Sequence, residues 1–159
     1  MTESSQDNST RSTAEGPPES AAERGLRIRK AVVGEEYVAR AYDRAGEFGR
    51  DFQDLVSEYC WGSSWGRTAL SRRDKSLLNL AIIGTLGRSD EFRLHVAGAL
   101  RNGVTDEELQ DTLIHLAVYA GIPAGVEAFR IAGEVRAQHG QETHPTSASP
   151  STQFEGEHA

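Results

Sequence analysis

The chain is poor in the residues from which most recognisable catalytic motifs are built. One cysteine, Cys60, stands among its 159 residues. That excludes an internal disulfide and any Cys-x-x-Cys redox pair, and leaves a small buried thiol in a reducing cytoplasm as the expectation. No run approaches the roughly 18 apolar residues of a membrane span, and the N-terminus lacks the apolar region of a signal peptide. A cytoplasmic protein with no membrane partner is therefore expected. Between residues 24 and 139 there is no His-x-x-x-His and no Glu-x-x-His, no phosphate loop and no dinucleotide fingerprint; no metal and no cofactor is expected. Gly62-x-x-x-Gly66 alone is too weak a phosphate signal. A basic face is missing as well. Residues 24–139 hold 16 Lys+Arg and 16 Asp+Glu, so the formal charge of −7 belongs to the two ends of the chain. A neutral centre argues against a nucleic-acid partner.

Residues 1–23 and 140–159 are rich in Ser, Thr, Glu, Gly and Pro and nearly free of apolar side chains. Neither can bury enough surface to offset its chain entropy, so both are expected to be disordered tails around one domain, 24–139. Within that domain no strand-like alternation occurs, and helical spacing recurs. Leu26, Ile28, Ala31, Val32 and Val33 predict a first helix that stops at Gly34. A second spans 35–45, with Val38, Ala41, Tyr42 and Ala45 inward. Phe48, Phe52, Leu55, Val56 and Tyr59 predict the inward face of a third. Ser71-Arg72-Arg73-Asp74 starts a fourth in the manner of a capping box. Ser89 or Asp90 caps a fifth, which ends at Asn102-Gly103. Thr105-Asp106-Glu107-Glu108 is a capping box for a sixth, and Pro123 opens a seventh that runs to about Gln138. The expected fold is all-α, a single compact domain of six to seven helices.

Two of these helices, Leu77 to Leu86 and Leu113 to Ala120, are apolar nearly all round. Such helices need cover on more than one face. A domain of this size has little material for both, so a homo-oligomer is expected.

Chemistry concentrates between residues 52 and 67. Trp61 and Trp65, the two tryptophans of the protein, are four apart and share a face of a helical turn, with Glu58 and Tyr59 beside them. Large aromatic surface with a few polar groups makes a small-ligand pocket, although paired tryptophans equally make ordinary core. Arg67, Arg72 and Arg73 follow. Guanidinium groups beside an aromatic pocket suit an anionic small molecule, because the fork fits a carboxylate bidentately; the alternative is a charged helix start. Three histidines lie in the domain. His139 caps the last helix. Glu91 and His95 are i,i+4, so the carboxylate can orient the imidazole. Asp111, His115 and Tyr119 form a second acid–imidazole–phenol stripe. A hydrogen-bonded core role is the plain alternative for both His95 and His115.

Together these residues resemble a known family. Glu58-Tyr59-x-Trp61-Gly62-x-x-Trp65-x-Arg67-x-x-Leu70-x-Arg72-Arg73, Ser76-Leu77-Leu78-x-Leu80-Ala81, Glu91-Phe92-Arg93-Leu94-His95-Val96-x-x-Ala99-Leu100-x-Asn102-Gly103-Val104-Thr105 and Tyr119-x-Gly121-x-Pro123-Ala124 resemble the carboxymuconolactone decarboxylase family. The similarity spans about residues 24–138. It implies an alkylhydroperoxidase D-like helical fold, a ring-like homo-oligomer (a hexamer or trimer), and cofactor-free decarboxylation of 4-carboxymuconolactone to the 3-oxoadipate enol-lactone in aromatic catabolism. Redox members of the wider superfamily carry Cys-x-x-Cys-x-x-x-His; aligned on His95, their cysteines fall at Arg88 and Glu91, so the thiol nucleophile is missing here. Ser71, Arg101 and the Thr68-Ala69 pair depart from the family pattern near the pocket. The resemblance implies His95 as general acid oriented by Glu91, with Glu58 as a further member of the catalytic set. Tyr59, Trp61, Trp65, Arg67, Arg72 and Arg73 would bind substrate, and His115 with Tyr119 form a reserve pair. The alternatives are another carboxylated or enolisable substrate on the same scaffold, an alkylhydroperoxidase-type redox protein and a non-catalytic binding oligomer.

Overall fold

The structure, a computed structural model, describes residues 18–143, with side chains to residue 140. Six α-helices and one π-helix follow in order: α1 Ala21–Val33, α2 Glu35–Leu55, the π-helix Val56–Trp65, α3 Arg72–Thr85, α4 Ser89–Arg101, α5 Asp106–Ala120 and α6 Ile122–Thr143. No strand occurs among the described residues, so the chain is all-α. Helix passes both expected domain borders: α1 begins at Ala21 behind an N-cap at Ser20, and α6 runs to Thr143. The remainder of the two expected tails lies outside the described residues.

Local chemistry sets most of the boundaries. Ser20, Ser71 and Thr105 each accept from the backbone N–H three residues on, and Glu23, Asp74 and Glu108 bond back to close three capping boxes. Gly34 (φ 96°) and Gly121 (φ 106°) end α1 and α5 in backbone that favours glycine. The expected break near residue 46 is present, because Gly46 (φ 55°, ψ −155°) interrupts α2. The start of α4 differs from expectation. Gly87 and Arg88 close α3 with bonds to the carbonyls of Gly84 and Ile83. Ser89 is consequently already the first helical residue, and the N-cap is Arg88.

The largest departure concerns residues 48–65. The 3/4 spacing of Phe48, Phe52, Leu55 and Tyr59 predicts an inward stripe, yet all four are exposed. The helix widens into a π-helix from Val56 onward. The wider turn carries an i→i+5 ladder, which rotates the inward face away from an α-helical register. Ser57, Trp61, Gly62 and Trp65 take that face instead. The packing partner is α1, and it comes very close. A Cβ on Gly25 would lie 1.8 Å from the Ser57 carbonyl oxygen, and one on Gly62 would lie 2.1 Å from the Ala21 carbonyl oxygen. The two glycines allow backbone to meet backbone. Buried Arg29 fixes the first turn, donating to Ser57 Oγ at 3.2 Å and Gln53 Oε1 at 2.8 Å.

Two apolar clusters hold the subunit together. Leu80, Phe92, Val96, Leu109, Leu113, Leu116 and Ile131 join α3 to α6. Ile28, Val32, Val33, Val38, Trp61 and Trp65 join α1, α2 and the π-helix. Each fully buried side chain of the size of Leu80 or Phe92 adds roughly 1.5–3 kcal/mol. Helix α4 lies between the clusters: Phe92 and Val96 face the first, and Leu94 packs on the second. His95 sits at this seam. Leu78, Ile82 and Leu86 of α3, and Ile114 and Val118 of α5, face outward. The subunit thus leaves uncovered part of the two helices that the sequence marks as apolar all round.

Candidate active site

An open cleft of about 650 Å3 lies at the seam, lined by Val56, Tyr59, Cys60, Trp61, Ser63, Ser64, Trp65, Arg67, Asn79 and His95. The π-helix supplies one wall, α3 and α4 the other. Trp61 and Trp65 are only 6% and 8% exposed, with ring centroids 4.9 Å apart. The His95 ring lies nearly parallel to both indoles, at 6.1 Å from Trp61 and 6.3 Å from Trp65. This aromatic surround determines the state of the imidazole. Burial lowers the His95 pKa from 6.5 to about 4, against a weaker upward pull from the Glu91 charge. At neutral pH the ring is uncharged. Asn79 Nδ2 stands 3.5 Å from His95 Nδ1. With Nδ1 accepting from that amide, the neutral ring carries its proton on Nε2 and offers a donor.

Arg67 provides the charge at the cleft wall. It is exposed, and among the described residues its guanidinium has no carboxylate partner. Cys60 is an exposed wall residue, not the buried thiol expected from the sequence.

The structure gathers five of the sequence-predicted residues: Tyr59, Trp61, Trp65, Arg67 and His95. It does not gather the others. Glu91 is exposed and reaches His95 only as a charge; the hydrogen-bonding neighbour of the ring is Asn79. Glu58 is exposed and does not line the cleft; its backbone carbonyl accepts from Ser63 Oγ at 3.3 Å. Arg73 pairs with Asp74 and Glu108. Arg72 lines a different recess, also bordered by Trp65 and Arg67. His115 and Tyr119 contact each other with rings tilted by 40° and centroids 4.5 Å apart, on the exposed face of α5.

Sequence reasoning missed Asn79. The signal was present: it is the one polar side chain within Leu77-Leu78-Asn79-Leu80-Ala81, and a polar group in an apolar run needs a partner. Among the described residues no group of three or more His, Cys, Asp and Glu side chains is arranged to hold a metal ion. None of the described helices is long and apolar enough to cross a membrane.

The concave site of this helical chain joins a neutral imidazole, two indoles and an arginine. The profile of the carboxymuconolactone decarboxylase family matches residues 50–134, and the chain belongs to that family. It is 40% identical over 111 residues to 4-carboxymuconolactone decarboxylase of Acinetobacter baylyi, covering 70% of this chain and 83% of that protein. It is 42% identical over 104 residues to the nitrosuccinic acid decarboxylase npaB of Metarhizium robertsii, covering 65% of this chain and 73% of that protein.

Proposed function

We propose that the protein is a cofactor-free carboxy-lyase acting on a small dianion, with 4-carboxymuconolactone as substrate and the 3-oxoadipate enol-lactone as product. The observation that carries this reading is the neutral His95 held between Trp61, Trp65 and Asn79, beside the unpaired Arg67, in a chain similar to two decarboxylases. The substrate carries a carboxylate and a carboxymethyl group on the same ring carbon. When the bond to the departing carboxylate breaks, its electron pair moves through the ring double bond onto the lactone carbonyl oxygen, and carbon dioxide leaves. The ring is its own electron sink. A proton then adds to the carbon beside the carbonyl.

The residues divide these tasks. Arg67 holds a carboxylate. Trp61 and Trp65 give the departing carboxylate an apolar neighbourhood. His95 donates a hydrogen bond from its Nε2–H to the lactone carbonyl oxygen as charge develops there. This differs from the general-acid role expected from the sequence: with a pKa of about 4 the imidazolium is scarce at neutral pH. The proton that reaches carbon comes from water in the open cleft.

A second substrate is favoured by the similarity to the nitrosuccinic acid decarboxylase. Nitrosuccinic acid is also a succinic skeleton whose carbanion can rest on oxygen, here that of a nitro group. The shared demand is a dicarboxylate with an electron sink on the carbon that loses carbon dioxide. A spectrophotometric assay on freshly generated 4-carboxymuconolactone, with nitrosuccinate in parallel, tests the assignment; turnover of nitrosuccinate alone moves it to the second substrate. We further propose that the outward Leu78, Ile82, Leu86, Ile114 and Val118 are covered by other copies of the chain. Light scattering should then give a multiple of 17.3 kDa.

A further inference from the structure

A second recess, of about 430 Å3, shares Trp65 and Arg67 with the His95 cleft, while His95 is not part of its wall. Its cations are Arg24, Arg27, Arg67, Arg72 and Lys75. Arg27 is already paired with Glu19 at 2.8 Å. Among the described residues the other four have no carboxylate within ion-pair distance. The neighbouring Arg73, by contrast, is paired with Asp74 and Glu108. Two of the heads are fastened to the wall by backbone carbonyls. Arg24 Nε donates to Gly62 O at 3.3 Å, and Lys75 Nζ donates to Trp65 O at 3.0 Å and to Arg67 O. Burial lowers the Lys75 pKa, and the charges of Arg67 and Arg72 lower it further, so these cations feel one another. Charge over residues 24–139 is balanced, which makes this a local excess. Like charges held around a concavity repel, and a bound anion removes that repulsion.

We propose that this recess captures one carboxylate of an incoming dicarboxylate and passes the molecule along Arg67, the cation common to both cavities, into the His95 cleft. The inference rests on the reading of the substrate as a dianion. Guanidinium forks suit a carboxylate, and a cationic concavity raises the local anion concentration and the association rate. Both effects weaken with ionic strength.

Succinate tests the proposal, since it has two carboxylates and no electron sink. Trp65 borders both cavities, so tryptophan fluorescence reports its binding. The variants are Arg72→Gln and the double Arg24→Gln/Arg72→Gln, neither of which alters the His95 cleft lining; circular dichroism checks their fold. The wild type should bind succinate saturably. Each substitution should weaken binding roughly two- to fivefold, the range of exposed charge pairs, and flatten its salt dependence. Turnover should lose kcat/KM while kcat is kept. Absence of saturable succinate binding to the wild type, or a double variant with unchanged affinity and salt dependence, overturns the proposal. The binding readout needs no turnover, which separates two failures. Succinate binding that depends on Arg24 and Arg72, without decarboxylation of 4-carboxymuconolactone, removes the proposed reaction and keeps the recess. Decarboxylation with unchanged kcat/KM in the double variant keeps the reaction and removes the recess.

Discussion

Helices α4 and α5 carry the same local pattern, an acid four residues before a histidine: Glu91 and His95 in one, Asp111 and His115 in the other. The fold separates them. His95 meets two indoles and an amide at the wall of a cleft, while His115 lies on an exposed face against Tyr119. The i,i+4 spacing is shared, and neither acid decides the outcome. What decides it is the element packed opposite. Helix α4 lies against the tryptophan-bearing cluster, and α5 turns this stripe outward. A motif on a helix therefore has the chemistry of the surface it faces.

The comparison breaks most sharply under substitution. His95→Leu, which removes the donor, should fold and lose roughly 10²- to 10³-fold in kcat, the range for one oxyanion-stabilising donor. His115→Leu should change turnover less than about twofold. His95→Gln, which restores a side-chain N–H, should recover part of the loss; a general acid would not be rescued this way. Steady-state kinetics of the three variants decides it, and equal loss in the Leu and Gln variants would return His95 to acid catalysis.

The next effect concerns the wall that α5 lacks. Gly25→Ala places a methyl group against the Ser57 carbonyl. It should destabilise the protein by about 3 kcal/mol or more, beyond the usual overpacking range because the obstacle is backbone. It should also disturb the cleft, whereas Gly133→Ala on α6, where no atom lies within 4 Å of the new Cβ, should not. Denaturant melts of the two variants check this.

Titration gives a comparable effect. The His95 pKa falls from 6.5 to about 4 on folding, so between those values the unfolded chain binds more protons. Stability should rise with pH across that window, and acidification from 6.5 to 4 should remove up to roughly 3 kcal/mol. His95→Leu should lose this part of the slope, and His115→Leu should keep it. Smaller still is Asn79→Leu, which frees the imidazole tautomer; a loss of about tenfold in kcat is expected, one hydrogen bond's worth, with KM little changed. Cys60→Ala should be nearly neutral, and an inactive but folded variant would point instead to thiol chemistry.

How much of this was legible before the structure follows the same division. The helices with strong local signals were readable: the capping boxes at Ser71 and Thr105, the stop at Gly34, the break near Gly46 and the turn at Asn102-Gly103 are written in a few adjacent residues, whereas the box at Ser20 falls inside the segment expected to be a disordered tail. Trp61, Trp65, Arg67 and His95 were readable as cleft residues because tryptophan and histidine are scarce in this chain and Arg67 follows the two tryptophans closely. The π-helix was not readable. Its register depends on Gly25 and Gly62 bringing two backbones together across 37 residues of sequence, and a periodicity argument sees only one segment at a time. That misreading placed Tyr59 inward and Glu58 in the site; Phe52 and Leu55, which precede the π-helix, lie on an exposed face of α2 itself. Arg72, Arg73, Glu91, His115 and Tyr119 lie near the tryptophans or on a histidine stripe in sequence, but none of them lines the His95 cleft in space.

Decarboxylation at the seam beside His95, with the neutral imidazole as donor, is the proposal on which the other roles depend. The pH dependence of carbon dioxide release from 4-carboxymuconolactone, measured on the wild type and on His95→Leu, tests this most directly. The wild-type kcat should be flat between about pH 6 and 8, and the variant should be reduced at least roughly 10²-fold at every pH. A wild-type kcat that falls tenfold per pH unit across that range, as an acid with a pKa near 4 requires, or a fully active His95→Leu enzyme, would contradict it.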